Sequence, residues 1–157
     1  RKIDPTSVML MEIEKADINF KEECRLERKL SEKWIASFIE FSNLNDYEGK
    51  ILKRMLENSS PGTHYFSLYN NEYIVACGLG VLEGRYFGLF NIVVDDNCRR
   101  RGFGEKLTVT MLNTAKSLGA ETAYLQVERK NKPAQNLYKK LGFREFYSYW
   151  YRIIDSG

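Results

Sequence analysis

The sequence predicts an α+β domain, a mixed and mostly antiparallel central sheet flanked by helices. Two observations carry that prediction. Between His64 and Val94 three strand-like runs follow one another with only tight turns between them, the pattern of an antiparallel meander. From Phe103 onward helical and extended segments alternate, so a helix crosses between the strands ending at Val94 and Val127 and makes that pair parallel.

The elements follow in order. Ser7 to Ile13 alternates loosely between apolar and polar residues and reads as a first strand. From Asn19 to Phe41 the residues Leu26, Leu30, Trp34, Ile35, Phe38, Ile39 and Phe41 recur at three- and four-residue steps among charges, which predicts one long amphipathic helix. A second helix starts with Asp46 as N-cap and is stopped by Pro61-Gly62, and the two helices are expected to cover one face of the sheet. The meander comprises His64 to Tyr69, a turn at Asn70-Asn71, Tyr73 to Leu82, a turn at Glu83-Gly84, and Tyr86 to Val94. Gly78, Gly80 and Gly88 fall inside these strands, where glycine marks a bulge or a close approach. There follow a helix from Phe103 to about Leu118 closed by Gly119, a strand Thr122 to Val127, and a helix Pro133 to Leu141 closed by Gly142. The aromatic run from Phe143 to Ile154 predicts one or two closing strands.

Composition fits one globular domain spanning residues 1–157, with 43% hydrophobic and 29% charged residues. A net charge of +3 is too small to imply nucleic acid, and the basic clustering is confined to Arg99, Arg100 and Arg101. Cys24, Cys77 and Cys98 lie far apart with no Cys-x-x-Cys pair, which suits a reducing cytoplasm and argues against structural zinc; no metal is expected. No apolar run approaches the roughly 20 residues of a membrane span, and no signal peptide is apparent, so a soluble cytoplasmic protein is expected. The chain starts at Arg1 without an initiator methionine, which leaves open that it is a piece of a longer protein.

The chemistry is concentrated in Asn91 to Glu105, NIVVDDNCRRRGFGE: an apolar strand end, a polar loop, and an Arg-rich turn opening a helix. Such a helix start exposes unpaired N–H groups and the positive end of the dipole, which suits a diphosphate. Gly102 and Gly104 would let phosphate oxygens come close to those amides, with the three arginines at the rim. A Walker A loop needs a longer spacing, and a dinucleotide fingerprint needs a third glycine where this chain has Leu107. On spacing alone, a merely solvated helix start remains open.

Arg99-Arg100-Arg101-Gly102-Phe103-Gly104 resembles the Gln/Arg-x-x-Gly-x-Gly/Ala motif of the GNAT acetyltransferases, and Asn131 to Phe143, NKPAQNLYKKLGF, is similar to their Asn-x-x-Ala-x-x-Leu-Tyr-x-x-Leu-Gly-Phe segment. The two stand in the family's order and cover the chain from about Gly88 onward; the first helices, in a region that is variable in the family, resemble nothing more specific. The resemblance implies acetyl-CoA as cosubstrate. Its pyrophosphate would lie on Arg99, Arg100, Arg101, Gly102, Phe103, Gly104 and Glu105, and its pantetheine arm along the backbone of Ile92, Val93 and Val94, where the strands ending at Val94 and Val127 splay apart. Asn131 would contact the pantetheine region, although a helix N-cap is an equal reading, and Tyr138 would sit near the thioester sulfur as general acid. The implied reaction is acetyl transfer to a primary amine by direct attack, with a small-molecule amine or amino acid as acceptor. Alternatives are a non-catalytic acyl-CoA-binding module and acetylation of a protein N-terminus. No nucleic acid or membrane partner is implied, and homodimers are common among similar proteins.

One departure concerns the base. Acetylators of ribosomal-protein N-termini carry a Glu where this chain has Gln126, which cannot take a proton. Glu83 and Glu128, acting through water, are candidates, but each reads more readily as a solvated surface carboxylate, His64 reads as a turn or surface residue, and the base stays unassigned. Alternation puts half of Tyr147, Tyr149, Trp150 and Tyr151 in the core and half elsewhere, the wall of the acceptor pocket being the lesser reading for any one of them.

Overall fold

In a computed structural model, residues 5–13 and 24–150 are described. Seven strands form one sheet: β1 (Thr6–Glu12), β2 (Cys24–Glu27), β3 (Thr63–Asn70), β4 (Tyr73–Glu83), β5 (Tyr86–Val94), β6 (Thr122–Glu128) and β7 (Arg144–Tyr149). Their order is β2-β3-β4-β5-β6-β1-β7. Among the described strands only β5 and β6 pair in parallel. Helix α3 (Phe103–Ser117) makes the crossover between them, and α4 (Lys132–Leu141) follows β6.

The expected helix from Asn19 is corrected. Residues 19–23 lie outside the described part, Cys24–Glu27 is an edge strand paired antiparallel with β3, and helix α1 spans only Glu32–Phe41. The apolar periodicity ran on through Leu26 because an edge strand, paired on one side only, tolerates an exposed leucine between charges. Ser31 is the true cap, accepting from the Trp34 amide. Helix α2 (Asp46–Glu57) is capped by Asn45 rather than Asp46, through a reciprocal box in which Asn45 and Glu48 satisfy each other's backbone amides. It ends four residues ahead of Pro61.

Two cores sandwich the sheet. On one face α3 and α4 cover Met9, Phe66, Phe87, Leu89 and Leu125; on the other, Trp34, Ile35 and Phe38 of α1 pack on Tyr65, Cys77 and Leu79. Trp34 stacks on Phe38 and donates its indole N–H to the Phe66 carbonyl at 3.0 Å. Gly88 is required by close approach: a Cβ there would lie 2.7 Å from the Tyr124 ring. His64 is corrected from the surface to the interior. It is 2% exposed, its Nδ1 meets the Gly62 carbonyl at 2.8 Å, and its ring lies against Phe87.

Candidate active site

Strands β5 and β6 begin as a regular parallel pair, Tyr86 with Thr122 through Leu89 with Leu125, and then part. Beyond those residues β5 still pairs with β4 and β6 still pairs with β1 as far as Glu128, so the edges that face each other take no strand partner. This is the splay expected between the strands ending at Val94 and Val127.

A bulge on β5 marks the parting. Between the pairs Leu79–Phe90 and Cys77–Val93, β4 contributes only Gly78 whereas β5 contributes Asn91 and Ile92. Asn91 adopts φ 51°, a left-handed conformation that asparagine tolerates better than most residues. The extra residue resets the alternation. Before it Phe87 and Leu89 face the α3 core; after it Ile92 and Val94 do, while Phe90 and Val93 face α1. Asp95 N–H donates to Val75 of β4, so by alternation the backbone groups of Ile92 and Val94 turn the other way, into the opening.

The strand end leads through a short 3-10 turn, Asp96–Cys98, to the start of α3. Arg100 and Gly102 both have positive φ, 62° and 79°, and this pair of left-handed residues bends the chain into the helix. Gly102 is the N-cap and offers no side-chain cap bond, which leaves the Phe103, Gly104 and Glu105 amides without a helical acceptor. Phe103 is buried as the anchor of the turn. Arg99 pairs with Asp96 at 2.8 Å, and the Arg101 guanidinium lies over the Phe103 ring. Glu105 is held by Lys140 of α4 at 3.0 Å, tying the first turn of α3 to α4. At the junction, a Cβ on Gly104 would lie 3.6 Å from Val94 and 4.0 Å from Leu137. The strand end, the helix start and α4 therefore converge on Gly104.

Asn131 caps α4, accepting from the Ala134 amide at 3.3 Å. Ala134, Tyr138 and Leu141 turn towards the core, and the Tyr138 ring meets Phe143 edge-on at 5.8 Å. Burial pushes the Tyr138 phenol above its ordinary pKa, so it is protonated near neutral pH.

On the opposite face, Tyr124, Gln126 and Glu128 of β6 point away from the α3 core, since Ala123, Leu125 and Val127 are the buried set. Tyr124 meets Phe90 edge-on at 5.8 Å, and burial together with the Glu83 charge raises its pKa. Gln126 accepts from the Tyr149 hydroxyl at 2.8 Å across β1. Glu128 is engaged by Lys130 at 3.5 Å. Tyr147 and Trp150 are about half exposed, and Tyr151 lies outside the described residues. The bulge at Asn91, the contact of Leu137 with the helix start and the Lys140–Glu105 tie were not read from the sequence. An asparagine after an apolar strand run is the only signal that could have hinted at the first.

The sequence profile of the acetyltransferase (GNAT) family matches residues 26–143. The chain belongs to this family. Uncharacterized N-acetyltransferase YobR of Bacillus subtilis is 35% identical over 128 residues, which are 81% of this chain and 51% of that protein. The ribosomal protein bS18-alanine N-acetyltransferase of Salmonella typhimurium is 40% identical over 57 residues, 36% of this chain and 38% of its own. The chain thus spans about half, or less, of these curated relatives. Among solved structures, the Escherichia coli ribosomal-protein-S18-alanine N-acetyltransferase superposes with a TM-score of 0.66 at 23% identity, over 79% of each chain. A putative GNAT acetyltransferase from Novosphingobium aromaticivorans gives 0.67 at 16% identity, over 94% of this chain and 63% of the other. These likenesses bear on the fold.

The GNAT cosubstrate, acetyl-CoA, has an amide-bearing arm and a diphosphate, and the residues assembled here fit both. Unpaired strand edges suit the arm, and an uncapped glycine-lined helix start with flanking arginines suits the diphosphate. No group of three or more His, Cys, Asp or Glu gathers as a metal site among the described residues. No helix among them is long and apolar enough to cross a membrane. Burial pushes the Cys24 and Cys77 thiols to about 11 and about 12, so neither is a nucleophile near neutral pH.

Proposed function

We propose that the chain transfers an acetyl group from acetyl-CoA to a primary amine, with a small-molecule amine or amino acid as acceptor. The observation that carries this reading is the opening of β5 from β6 beyond Leu89 and Leu125, aimed at the uncapped start of α3. In this reading Ile92 and Val94 bind the pantetheine arm through backbone groups, with Val93 between them. The turn of Arg99, Arg100, Arg101, Gly102, Phe103, Gly104 and Glu105 holds the diphosphate. Asn131 orients α4 beside the arm.

Bound acetyl-CoA supplies an activated acyl carbon and a thiolate leaving group. The ammonium first loses one proton to solvent; the neutral amine nitrogen then forms a bond to that carbon as the carbon–sulfur bond breaks, and a second proton passes from nitrogen to solvent. Tyr138, kept protonated by burial, gives its proton to the departing sulfur and regains one from water. Backbone N–H groups at the β5 opening polarise the acyl oxygen. The acceptor enters from the opposite face, where Phe90 and Tyr124 present aromatic surface and Glu83 a carboxylate, a combination that attracts an ammonium group. The test is CoA thiol release across a panel of amines, amino acids and peptides with free N-termini. Turnover with none of them, in a protein that CoA stabilises against heat, would leave an acyl-CoA-binding module instead.

A protein N-terminus is the second reading, favoured by relatives that include an N-alpha-acetyltransferase of Sulfurisphaera tokodaii, 45% identical over 56 residues. Gln126, bound to Tyr149 where a carboxylate would be needed, weighs against it. Peptides turning over faster than every small amine would decide for it. A cytoplasmic location and a single domain across residues 1–157 belong to the same proposal.

A further inference from the structure

On the far side of α4 from the cleft lies a second concavity, of about 210 Å³, lined by Ser7 and Met9 of β1, Glu145 of β7, Arg129, and Lys132, Gln135 and Lys139 of α4. The three α4 residues are spaced at three and four positions and share one helix face. That face differs from the one by which Ala134 and Tyr138 pack on the core. Three cations surround a single carboxylate, and that carboxylate is already committed: Glu145 accepts from Ser7 and from Arg129 Nη2, the latter at 3.0 Å. Glu128, close by in sequence, is paired with Lys130. Gln135 is only 6% exposed, and its side-chain amide donates to the Glu128 carbonyl, so the floor is polar and fixed. The donors outnumber the acceptors, and two positive charges exceed what Glu145 balances.

We propose that this concavity binds a small oxyanion, a phosphoryl group presented as free phosphate or at the end of a small phosphoester. Lys132 and Lys139 approach it from α4, and Arg129 provides the third charge from the β6–α4 loop. The space is enough for a phosphoryl group with its first waters. A bound anion would bridge α4 to β1 and β7, stiffening the helix whose other side carries Tyr138. The inference does not depend on acetyl transfer, and its test reads binding alone.

The experiment is titration calorimetry and thermal melting of the whole chain with sodium phosphate and with glycerol phosphate, against sodium chloride at matched ionic strength. It is run on the parent, on Lys132→Ala/Lys139→Ala, and on Lys132→Arg/Lys139→Arg, with and without saturating CoA. The expected result is phosphate binding beyond the chloride control, weakened at least tenfold in the alanine variant, kept in the arginine variant, and unaffected by CoA. Both lysines are exposed, so the variants fold, which circular dichroism checks. The tighter of the two phosphoryl ligands names the source. A response no larger than that to chloride, full binding by the alanine variant, or displacement by CoA overturns the proposal, the last placing the anion on α3.

Discussion

Replacing Gly104 separates what the turn does for the fold from what it does for the diphosphate. A first Cβ would sit 3.6 Å from Val94 and 4.0 Å from Leu137, ordinary contact distances, so Gly104→Ala fits without displacing either neighbour. Alanine relieves the backbone entropy of a helical glycine, worth up to about 1 kcal/mol and less in a first turn. At this chain length each 1 kcal/mol corresponds to about 2–4 °C, so Gly104→Ala should melt at or slightly above the parent. Gly104→Val is different. Its two γ-methyls must go either into the junction of Val94 and Leu137 or over the open amides of Phe103, Gly104 and Glu105. Losing one charge-assisted hydrogen bond costs about 1.5–3 kcal/mol, so CoA should bind roughly ten- to a hundredfold more weakly to the valine variant. Calorimetric titration with CoA, beside a thermal melt in the same buffer, reads both effects. If folded Gly104→Val binds CoA as tightly as the parent, or if alanine weakens binding as much as valine does, the diphosphate does not lie on this turn.

Three further outcomes follow from the same geometry. Tyr138→Phe keeps the ring against Phe143 but removes the proton, so kcat should fall by roughly 10²–10⁴ with CoA affinity little changed; an unchanged kcat across the pH profile would exclude the acid role. Asn45→Ala removes the side-chain half of the α2 capping box, leaving the Glu48 amide without its cap, and should cost about 0.5–2 kcal/mol in urea melts, with no change in CoA binding. Burial, and to a lesser degree the Arg28 charge, lower the His64 pKa, so protons prefer the unfolded chain. The stability that His64 contributes is therefore complete above its unfolded pKa of 6.5 and is lost as pH falls below it towards the folded value. Urea melts should show that slope below pH 6.5 in the parent, and a His64→Phe variant that retained it would refute the assignment.

Much of the fold was legible because it is written in local chemistry. The meander announces itself through Asn70-Asn71 and Glu83-Gly84, and Asn71 and Gly84 do adopt positive φ in its two turns. Gly119 and Gly142 close their helices as expected, and the segment from Arg99 to Gly104 names a helix start. The segment from Cys24 to Glu27 was misread because strand pairing is a backbone property, and the leucine spacing that mimics a helix carries no information about whether β3 lies alongside. His64 was misplaced for a similar reason. A lone histidine between a turn and a strand gives no sign that Phe87, more than twenty residues away, will close over it.

By itself, then, the sequence determined most of the elements, the parallel crossover, the glycines at the helix start and the family to which the chain belongs, all of them set by neighbours within a few turns of chain. Tertiary structure alone decided the rest. The one-residue excess at Asn91 turns the backbone groups of Ile92 and Val94 into the opening while their side chains join the α3 core, and it exists only as a mismatch of register between β4 and β5. The meeting of Gly104, Val94 and Leu137, and the gathering of Arg129, Lys132 and Lys139 around Glu145, depend on where α4 lands on the sheet. That landing is a sum of many weak packing contacts between residues distant in the chain, which no short stretch of sequence encodes.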